Sequence, residues 1–490
     1  MRGLPVITAA EMRRIEALAY AEGMSDESFM LKAASGIAHT AEKLLLGVKK
    51  KVLLLVGKGN NGGDALAAGT LLLERGYPVR AFLLYPLVAC SPLCQKMAER
   101  FQKAGGLLEP FKTDLSPAEF LIVALVGTGF QGKAEGPLFE AIEAANLSKL
   151  PLLAVDIPSG LNGNTGEVTS IAIRATATAA LGLPKIGFFI GKGFDHIGKL
   201  FVLDFGLPPS YLNQAQPEAY LFDDKQAPHL LPPIKRTRHK YQRGYLLAIA
   251  GSPHLSGAAF LSCKAALRAG AGIVRLFHPP DMEVEQSPDE LIHEPWSLPR
   301  FLEESRRAKA LLVGPGLSRT QPVFTQLDQL FSSSKLPSVL DADALFYLAS
   351  RPAPPPHAIL TPHFQEMERL LGQPPDLKNC QAYVEKWGVT LVLKGAPTFI
   401  FEKGEKPLIV PRGDPGMATA GAGDVLTGII GALLAQGMAP YPAATLGVFL
   451  HDLAGEKAAL RKTSYAMIAS DLIEALPEVF KDLTRKEVER

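Results

Sequence analysis

Apolar runs and helix-period stretches alternate along nearly the whole chain. In the first half the apolar runs are Lys51–Val56, Val79–Tyr85, Phe120–Val126, Leu150–Asp156 and Lys199–Phe205. Stretches of helical period lie between or before them, over residues 10–22, 64–75 and 136–146. Runs of this length, apolar at consecutive positions rather than at alternate ones, predict strands buried on both faces. Strands in alternation with helices predict a parallel sheet covered on both sides. The rhythm fails over 207–243, which is rich in proline and then basic, and it restarts at residue 244. Strand-like runs then recur at 244–251, 271–277, 308–314, 336–343, 358–363 and 389–395. The pattern therefore predicts two α/β domains, 1–220 and 221–490. The basic run Lys235–Arg243 reads either as a solvated linker or as an arm that faces phosphate. No internal repeat of fixed period is present.

Bulk composition narrows the class without naming it. The chain has 490 residues, of which 47% are hydrophobic and 20% charged, and its formal charge is +2. Such a chain can bury large cores, and its near-neutral balance argues against nucleic acid or an acidic membrane as partner. Four cysteines, Cys90, Cys94, Cys263 and Cys380, are too few for a disulfide framework and lack zinc spacing. The N-terminus lacks the apolar core of a signal peptide, and no window reaches the length of a membrane span. A cytoplasmic location is the expectation.

Two stretches carry candidate chemistry. In the second half, "MATAGAGDVLTGIIGALLAQG" (417–437) places small residues and then Asp424 at the start of an apolar helix. Successive N–H groups at a helix N-terminus favour an anion, and an acid on the first turn can take a hydroxyl proton. Together these suit phosphoryl transfer. The structural alternative is a helix cap with close glycine packing. No Walker A loop is present.

In the first half, Gly57, Gly59 and Gly62 match G-x-G-x-x-G after an apolar run. A dinucleotide cofactor site also expects an acid about 20 residues further on, at the end of the second strand. Leu84, Tyr85 and Pro86 stand there, and Asp64 faces the place a pyrophosphate would take. The fingerprint therefore does not read as a dehydrogenase. Apolar strands ending in aspartate occur in both halves, at Asp156 and at Asp341. Ligands of open α/β sheets bind outside such strand ends.

The GAGD turn resembles the ribokinase-like superfamily. With it, 250–276, 311–318, 339–345, 359–372, 392–400 and 446–456 are similar, in order, to the ADP/ATP-dependent NAD(P)H-hydrate dehydratases, over about 235–475. The resemblance implies a ribokinase-like α/β sandwich. It implies that Ala258, Gly316, His363 and Asp424 contact hydrated nicotinamide nucleotide, with Asp424 as the base. It also implies that Lys394, Gly395, Ala396, Pro397, Thr398 and Gly423 hold the nucleotide phosphates, with Mg²⁺ accompanying transfer. Ala422 stands where the dehydratases usually have serine, as in superfamily sugar kinases. The structural alternatives are a core or capping histidine for His363, a partner of a structural acid for Lys394, and turn residues for Asp341 and Asp343.

"GKGNNGGDALAAG" (57–69), 125–138, "AVDIPSGLNGNTGEV" (154–168) and the helix at 7–19 resemble the NAD(P)H-hydrate epimerases, a Rossmann-like fold, over about 5–207. The resemblance implies that Asn60, Asn61, Gly62, Gly63 and Asp64 line the substrate. It implies the same for Gly127, Thr128, Gly129, Phe130, Gln131, Gly132 and Lys133. Asp156 would be the acid/base, and Asn61 and Ser159 K⁺ ligands. The usual third, acidic K⁺ ligand position is Ala124. Structural readings are a capping role for Asp156 and turn chemistry for Asn60 and Asn61. A single carboxylate at a strand end is adequate for the proton handling of epimerisation.

The two resemblances together imply a fused repair enzyme for hydrated NADH and NADPH. It would be a homo-oligomer with ADP or ATP as phosphoryl donor, the fused form favouring ADP. The alternatives are a sugar or vitamin kinase with an appended Rossmann-like module, and an N-terminal half that serves as an inactive scaffold.

Overall fold

The computed structural model describes residues 3–351 and 353–488. Contacts divide the described residues into two compact units, Leu4–Ala219 and the chain from Tyr220 onward.

The N-terminal unit contains β1 (Leu4–Val6), α1 (Ala9–Ala21), α2 (Asp26–Leu44), β2 (Val52–Val56), α3 (Asn60–Glu74), β3 (Val79–Leu83), α4 (Pro92–Lys103), β4 (Leu107–Pro110), β5 (Phe120–Ala124), α5 (Pro137–Leu147), β6 (Leu152–Val155), β7 (Ala177–Leu181), α6 (Gly193–Ile197), β8 (Lys199–Leu203) and α7 (Pro209–Leu212). Seven strands form a parallel sheet in the order β4-β3-β2-β5-β6-β7-β8. Val52–Val56 and Phe120–Ala124 are buried at every position, as a sheet covered on both faces requires. From β2 the chain first winds outward to β3 and β4, then crosses to β5 on the other side. The loops after β2 and β5 therefore part at this switch point and leave a crevice at the carboxyl ends of the strands.

The C-terminal unit contains β9 (Ala219–Leu221), α8 (Ala227–Leu230), β10 (Tyr245–Ile249), α9 (Ser256–Arg268), β11 (Ile273–His278), β12 (Ile292–Pro295), α10 (Leu298–Ser305), β13 (Ala310–Val313), α11 (Gln321–Ser333), β14 (Ser338–Leu340), α12 (Asp343–Leu348), β15 (Ala358–Leu360), α13 (Phe364–Leu371), α14 (Leu377–Trp387), β16 (Thr390–Leu393), β17 (Thr398–Phe401), β18 (Leu408–Val410), α15 (Ala422–Ala435), α16 (Pro440–Lys462) and α17 (Ala469–Val488). Its strands run β12-β11-β10-β13-β14-β15-β16-β17-β18-β9. They are parallel from β12 to β16, and the β16-β17-β18 meander is antiparallel. The switch point lies between β10 and β13. Helix α15 is apolar all round, and its buried run Val425–Ala435 packs on α9, β13 and β14.

Several elements differ from the sequence pattern. Strand β7 reads "ATAAL", short of the β-branched residues that mark a strand, and is held by its neighbours β6 and β8. The helical stretch at 64–75 starts four residues earlier, at Asn60, because the glycine-rich loop is itself the first helical turn. Helices α2 and α4 and strands β4, β12, β17 and β18 lie outside the runs read from the sequence. The basic run Lys235–Arg243 is mostly exposed and leads into the amino end of β10, opposite the carboxyl ends. That exposure agrees with the reading as a solvated segment.

Candidate active sites

In the N-terminal unit a cavity of about 470 Å³ opens at the switch point. Asn60, Asn61, Asp64, Gly127, Thr128, Gly129, Phe130 and Asp156 line it. Gly62 and Gly63 form the helix turn beneath, while Gln131, Gly132 and Lys133 are exposed beyond the lining. The fingerprint glycines have a packing reason. A Cβ at Gly57 would sit 1.7 Å from the Leu125 carbonyl oxygen, and one at Gly62 would sit 2.3 Å from that of Gly57. The loop is thus pressed against the chain leaving β5, and Asn61 is carried into the crevice.

Asp156 follows β6 with φ +62°, a conformation disfavoured for any residue with a Cβ. Its Oδ1 accepts from Lys185 Nζ at 2.7 Å, and that ammonium also donates to the Leu181 carbonyl at 3.0 Å. Lys185 is 1% exposed. Sequence reasoning missed this lysine because it follows β7, the strand that composition hid. It also missed Glu16, which lines the same cavity from α1. Main-chain bonds from Ile7 to Pro184 and from Ile186 to Ile7 tie the start of α1 to the Lys185 turn. Burial and then the Asp156 charge push the Glu16 carboxyl up to about 7. Burial, then Asp156 and Glu16, holds the Asp64 carboxyl well above the usual carboxylate range.

Both amide atoms of Asn61 are buried with no hydrogen-bond partner. A buried amide left open in this way fits a cation or ligand donor. The Ser159 hydroxyl exchanges hydrogen bonds with the Val126 main chain, 3.1 Å each way. Ala124 offers no side-chain donor, and its carbonyl accepts from the Gly57 N–H at 3.0 Å. Among the described residues no group of three or more His, Cys, Asp or Glu side chains is arranged to hold a metal ion.

In the C-terminal unit the GAGD turn begins α15. Gly421 caps the helix at φ +91°, and a Cβ there would meet Leu261 at 2.6 Å. The opening N–H groups of a helix have no partner within it, so this turn presents donors for an anion. Lys394 ends β16 beside the turn, since a Cβ on Gly423 would lie 3.3 Å from its ammonium. That ammonium donates to Asp341 Oδ1 at 2.7 Å and lies 3.9 Å from Glu366. Thr427, one helical turn after Gly423, donates to Asp341 Oδ2 at 2.7 Å. Burial opposes the charge on Lys394, but Asp341 and Glu366 outweigh it and the amine is held above its ordinary value.

Burial, reinforced by the charge of Asp341, raises Asp424 from 3.8 to about 7, with Lys394 pulling the other way. A base poised near neutrality suits proton abstraction. The two acids after β14 divide their work. Asp341 pairs with Lys394, whereas Asp343 accepts from the Ser318 N–H at 2.9 Å and from Arg319 Nε at 2.7 Å. Asp343 thereby braces the loop that holds Gly316. Gly316 and Ala258 adjoin at the switch point, where a Cβ on Gly316 would lie 3.2 Å from that of Ala258. His363 caps α13 through Nδ1, and its N–H donates to Glu366 at 2.8 Å. The residues Gly395 and Ala396 are exposed, and the Thr398 hydroxyl donates to the Gly395 carbonyl. Sequence reasoning missed Glu366 and Thr427, although both lie inside motifs it used. The His451 ring meets the Ala422 carbonyl at 2.9 Å, bracing the turn where serine is replaced by Ala422.

Comparison with known proteins matches this division. A family model described as NAD(P)H-hydrate dehydratase matches residues 246–478. A second, described as YjeF-related protein N-terminus, matches 26–187. The chain is 36% identical to a bifunctional NAD(P)H-hydrate repair enzyme of Moorella thermoacetica, covering 99% of this chain and 98% of that protein. It is 33% identical to one of Coxiella burnetii, covering 94% and 96%. Among solved structures, a ribokinase-like superfamily protein from Enterococcus faecalis is similar at 26% identity and TM-score 0.51, over 54% of this chain and 96% of that one.

Proposed function

The chain belongs to the bifunctional NAD(P)H-hydrate repair enzymes, and from that premise we propose which of its residues carry each half-reaction. It acts on hydrated NADH and NADPH, epimerising the R and S hydrates and dehydrating the S hydrate with ADP or ATP. We assign dehydration to 221–490 and epimerisation to 1–220.

In the C-terminal unit, Asp424 takes the proton of the ring hydroxyl as that oxygen attacks the terminal phosphoryl group. The N–H groups of Gly421 to Gly423 and the Lys394 ammonium face the charge that develops on the phosphoryl oxygens. Lys394 to Thr398 hold the remaining phosphates. The ring nitrogen's lone pair then expels phosphate from carbon 6, and a proton leaves the neighbouring carbon to restore the double bond. Ala258, Gly316 and His363 border the nicotinamide end. When bound, Mg²⁺ would supply charge neutralisation on the phosphates; Asp341 is engaged by Lys394 and Thr427, so the nucleotide phosphates rather than this acid would hold it.

In the N-terminal unit, Asp156 handles the proton of the same hydroxyl, in the cavity formed by Asn60–Asp64 and the 127–133 loop. The acid-lined floor suits the uncharged hydrated ring. Asn61 and Ser159 are the K⁺ donors; the orphaned Asn61 amide supports this, and position 124 contributes nothing. That gap at Ala124 is the one observation favouring a second reading, an inactive N-terminal scaffold. Among the described residues no helix is long and apolar enough to cross a membrane. A cytoplasmic homo-oligomer completes the proposal.

The observation that carries the dehydratase assignment is Asp424, raised to about 7 at the mouth of the anion turn. Asp424→Asn should abolish phosphoryl-dependent recovery of NADH from its hydrate while leaving epimer exchange intact. Normal turnover by that variant would refute the assignment.

A further inference from the structure

Inverting carbon 6 of the hydrate requires two proton transfers at two atoms. The carbon carries a hydroxyl and is bonded to the ring nitrogen. As the ring opens, the hydroxyl loses its proton and becomes a carbonyl. The bond between carbon 6 and nitrogen breaks, its electron pair goes to nitrogen, and nitrogen gains a proton. Rotation of the aldehyde turns its other face to the nitrogen, and the reverse transfers reclose the ring as the other epimer. No oxidant or co-reactant enters.

The two transfers need least rearrangement when the hydroxyl and the nitrogen each meet their own acid–base group. In this site one oxygen of Asp156 is already engaged. Lys185 Nζ holds Asp156 Oδ1 at 2.7 Å and is itself almost wholly buried. Oδ2 lies beside the crevice loop, 3.8 Å from where a Cβ on Gly127 would stand.

Resting on the epimerase reading of this unit, we propose that Glu16 is the second proton-transfer group, serving the ring nitrogen while Asp156 serves the hydroxyl, with Lys185 as the positioning residue that holds one Asp156 oxygen. Glu16 lines the cavity with Asp156, Lys185, Asp64 and Asn61. Among the described residues it makes no hydrogen bond or ion pair, so its carboxyl is free to act. The charged and titratable groups around it are Asp156 and Lys185 from the strand ends, Lys58 from the loop before α3, Asp64 from α3, Arg13 and Tyr20 from α1 itself, and Asp26 from α2. Burial and the Asp156 charge raise Glu16 to about 7, so it carries a proton for part of the time at neutral pH. Because opening needs the protonated form of Glu16, exchange should fall as pH rises through about 7.

The test uses the full chain without phosphoryl donor, starting from R-enriched hydrated NADH and following the epimer ratio by chromatography. Glu16→Gln should slow exchange about 100-fold or more, shift KM less than about threefold, and erase the decline above pH 7. Glu16→Asp should keep an intermediate rate and retain the decline. Exchange by Glu16→Gln within about threefold of wild type overturns the proposal. So does a Glu16→Asp variant as slow as Glu16→Gln and equally flat in pH, since that pattern marks a packing role. A wild-type chain that exchanges epimers no faster than Asp156→Asn would sink the epimerase reading itself, and this proposal with it.

Discussion

Replacing Asp424 by asparagine should stabilise the C-terminal unit while it destroys the reaction. The carboxyl lies on the first turn of α15, buried and close to Asp341, and is raised from 3.8 to about 7. A group whose folded value is raised costs stability once the unfolded chain has ionised. The penalty is absent below about pH 4, grows until pH 7, and is constant above. A rise of this size corresponds to roughly 4 kcal/mol at pH 8 and to about 2 kcal/mol at pH 5. The asparagine amide pays its own burial cost, roughly 1–3 kcal/mol. The variant should therefore gain about 2 kcal/mol at pH 8 and nearly nothing at pH 5. The chain has two tryptophans, Trp296 and Trp387, both in the C-terminal unit. Urea denaturation followed by tryptophan fluorescence at the two pH values reads that unit alone. A gain equal at both values, or none at pH 8, would refute the electrostatic picture of Asp424.

Dehydration itself should rise with pH through about 7, because the ionised form of Asp424 is the base; a profile flat from pH 6 to 8, measured by NADH absorbance, would contradict it. Lys185→Met leaves Asp156 without its buried partner and should destabilise the N-terminal unit by about 3 kcal/mol, read by hydrogen exchange, with loss of epimer exchange. Thr427→Val removes one of the two clamps on Asp341 and should cost about 1 kcal/mol of stability and lower the kcat of dehydration more than its KM changes.

Much of this arrangement was legible in the sequence where chemistry and periodicity coincide. The apolar runs at β2, β5, β6 and β10 mark strands buried on both faces, and the glycines around Asn61 and Asp424 mark the loops that leave them. The fingerprint at Gly57 would have misled if read alone. Its glycines serve the approach of the loop to Leu125, and the missing acid near Tyr85 separates it from a cofactor site. What the sequence hid shares a physical cause. Lys185 follows β7, whose alanines form a strand only because β6 and β8 flank it. Glu16 lies on an amphipathic helix among other charges, and only the Ile7–Lys185 pairing turns it toward Asp156. Asp341 and Asp343 look alike in "LDADAL", yet one pairs with Lys394 and the other braces Ser318 and Arg319. Such distinctions arise from tertiary packing, which one-dimensional patterns do not carry.

The central claim is that one chain carries both half-reactions. Its most direct test supplies mixed epimers of hydrated NADH, limiting enzyme and excess ADP or ATP with Mg²⁺, and follows the near-ultraviolet absorbance of NADH to its end point. The account predicts complete recovery by the wild-type chain. It predicts a rapid phase followed by a stalled one for Asp156→Asn, and no recovery for Asp424→Asn. A wild-type trace that stalls at the same fraction as Asp156→Asn would show that the N-terminal unit does not epimerise, and the account of two active halves would fall.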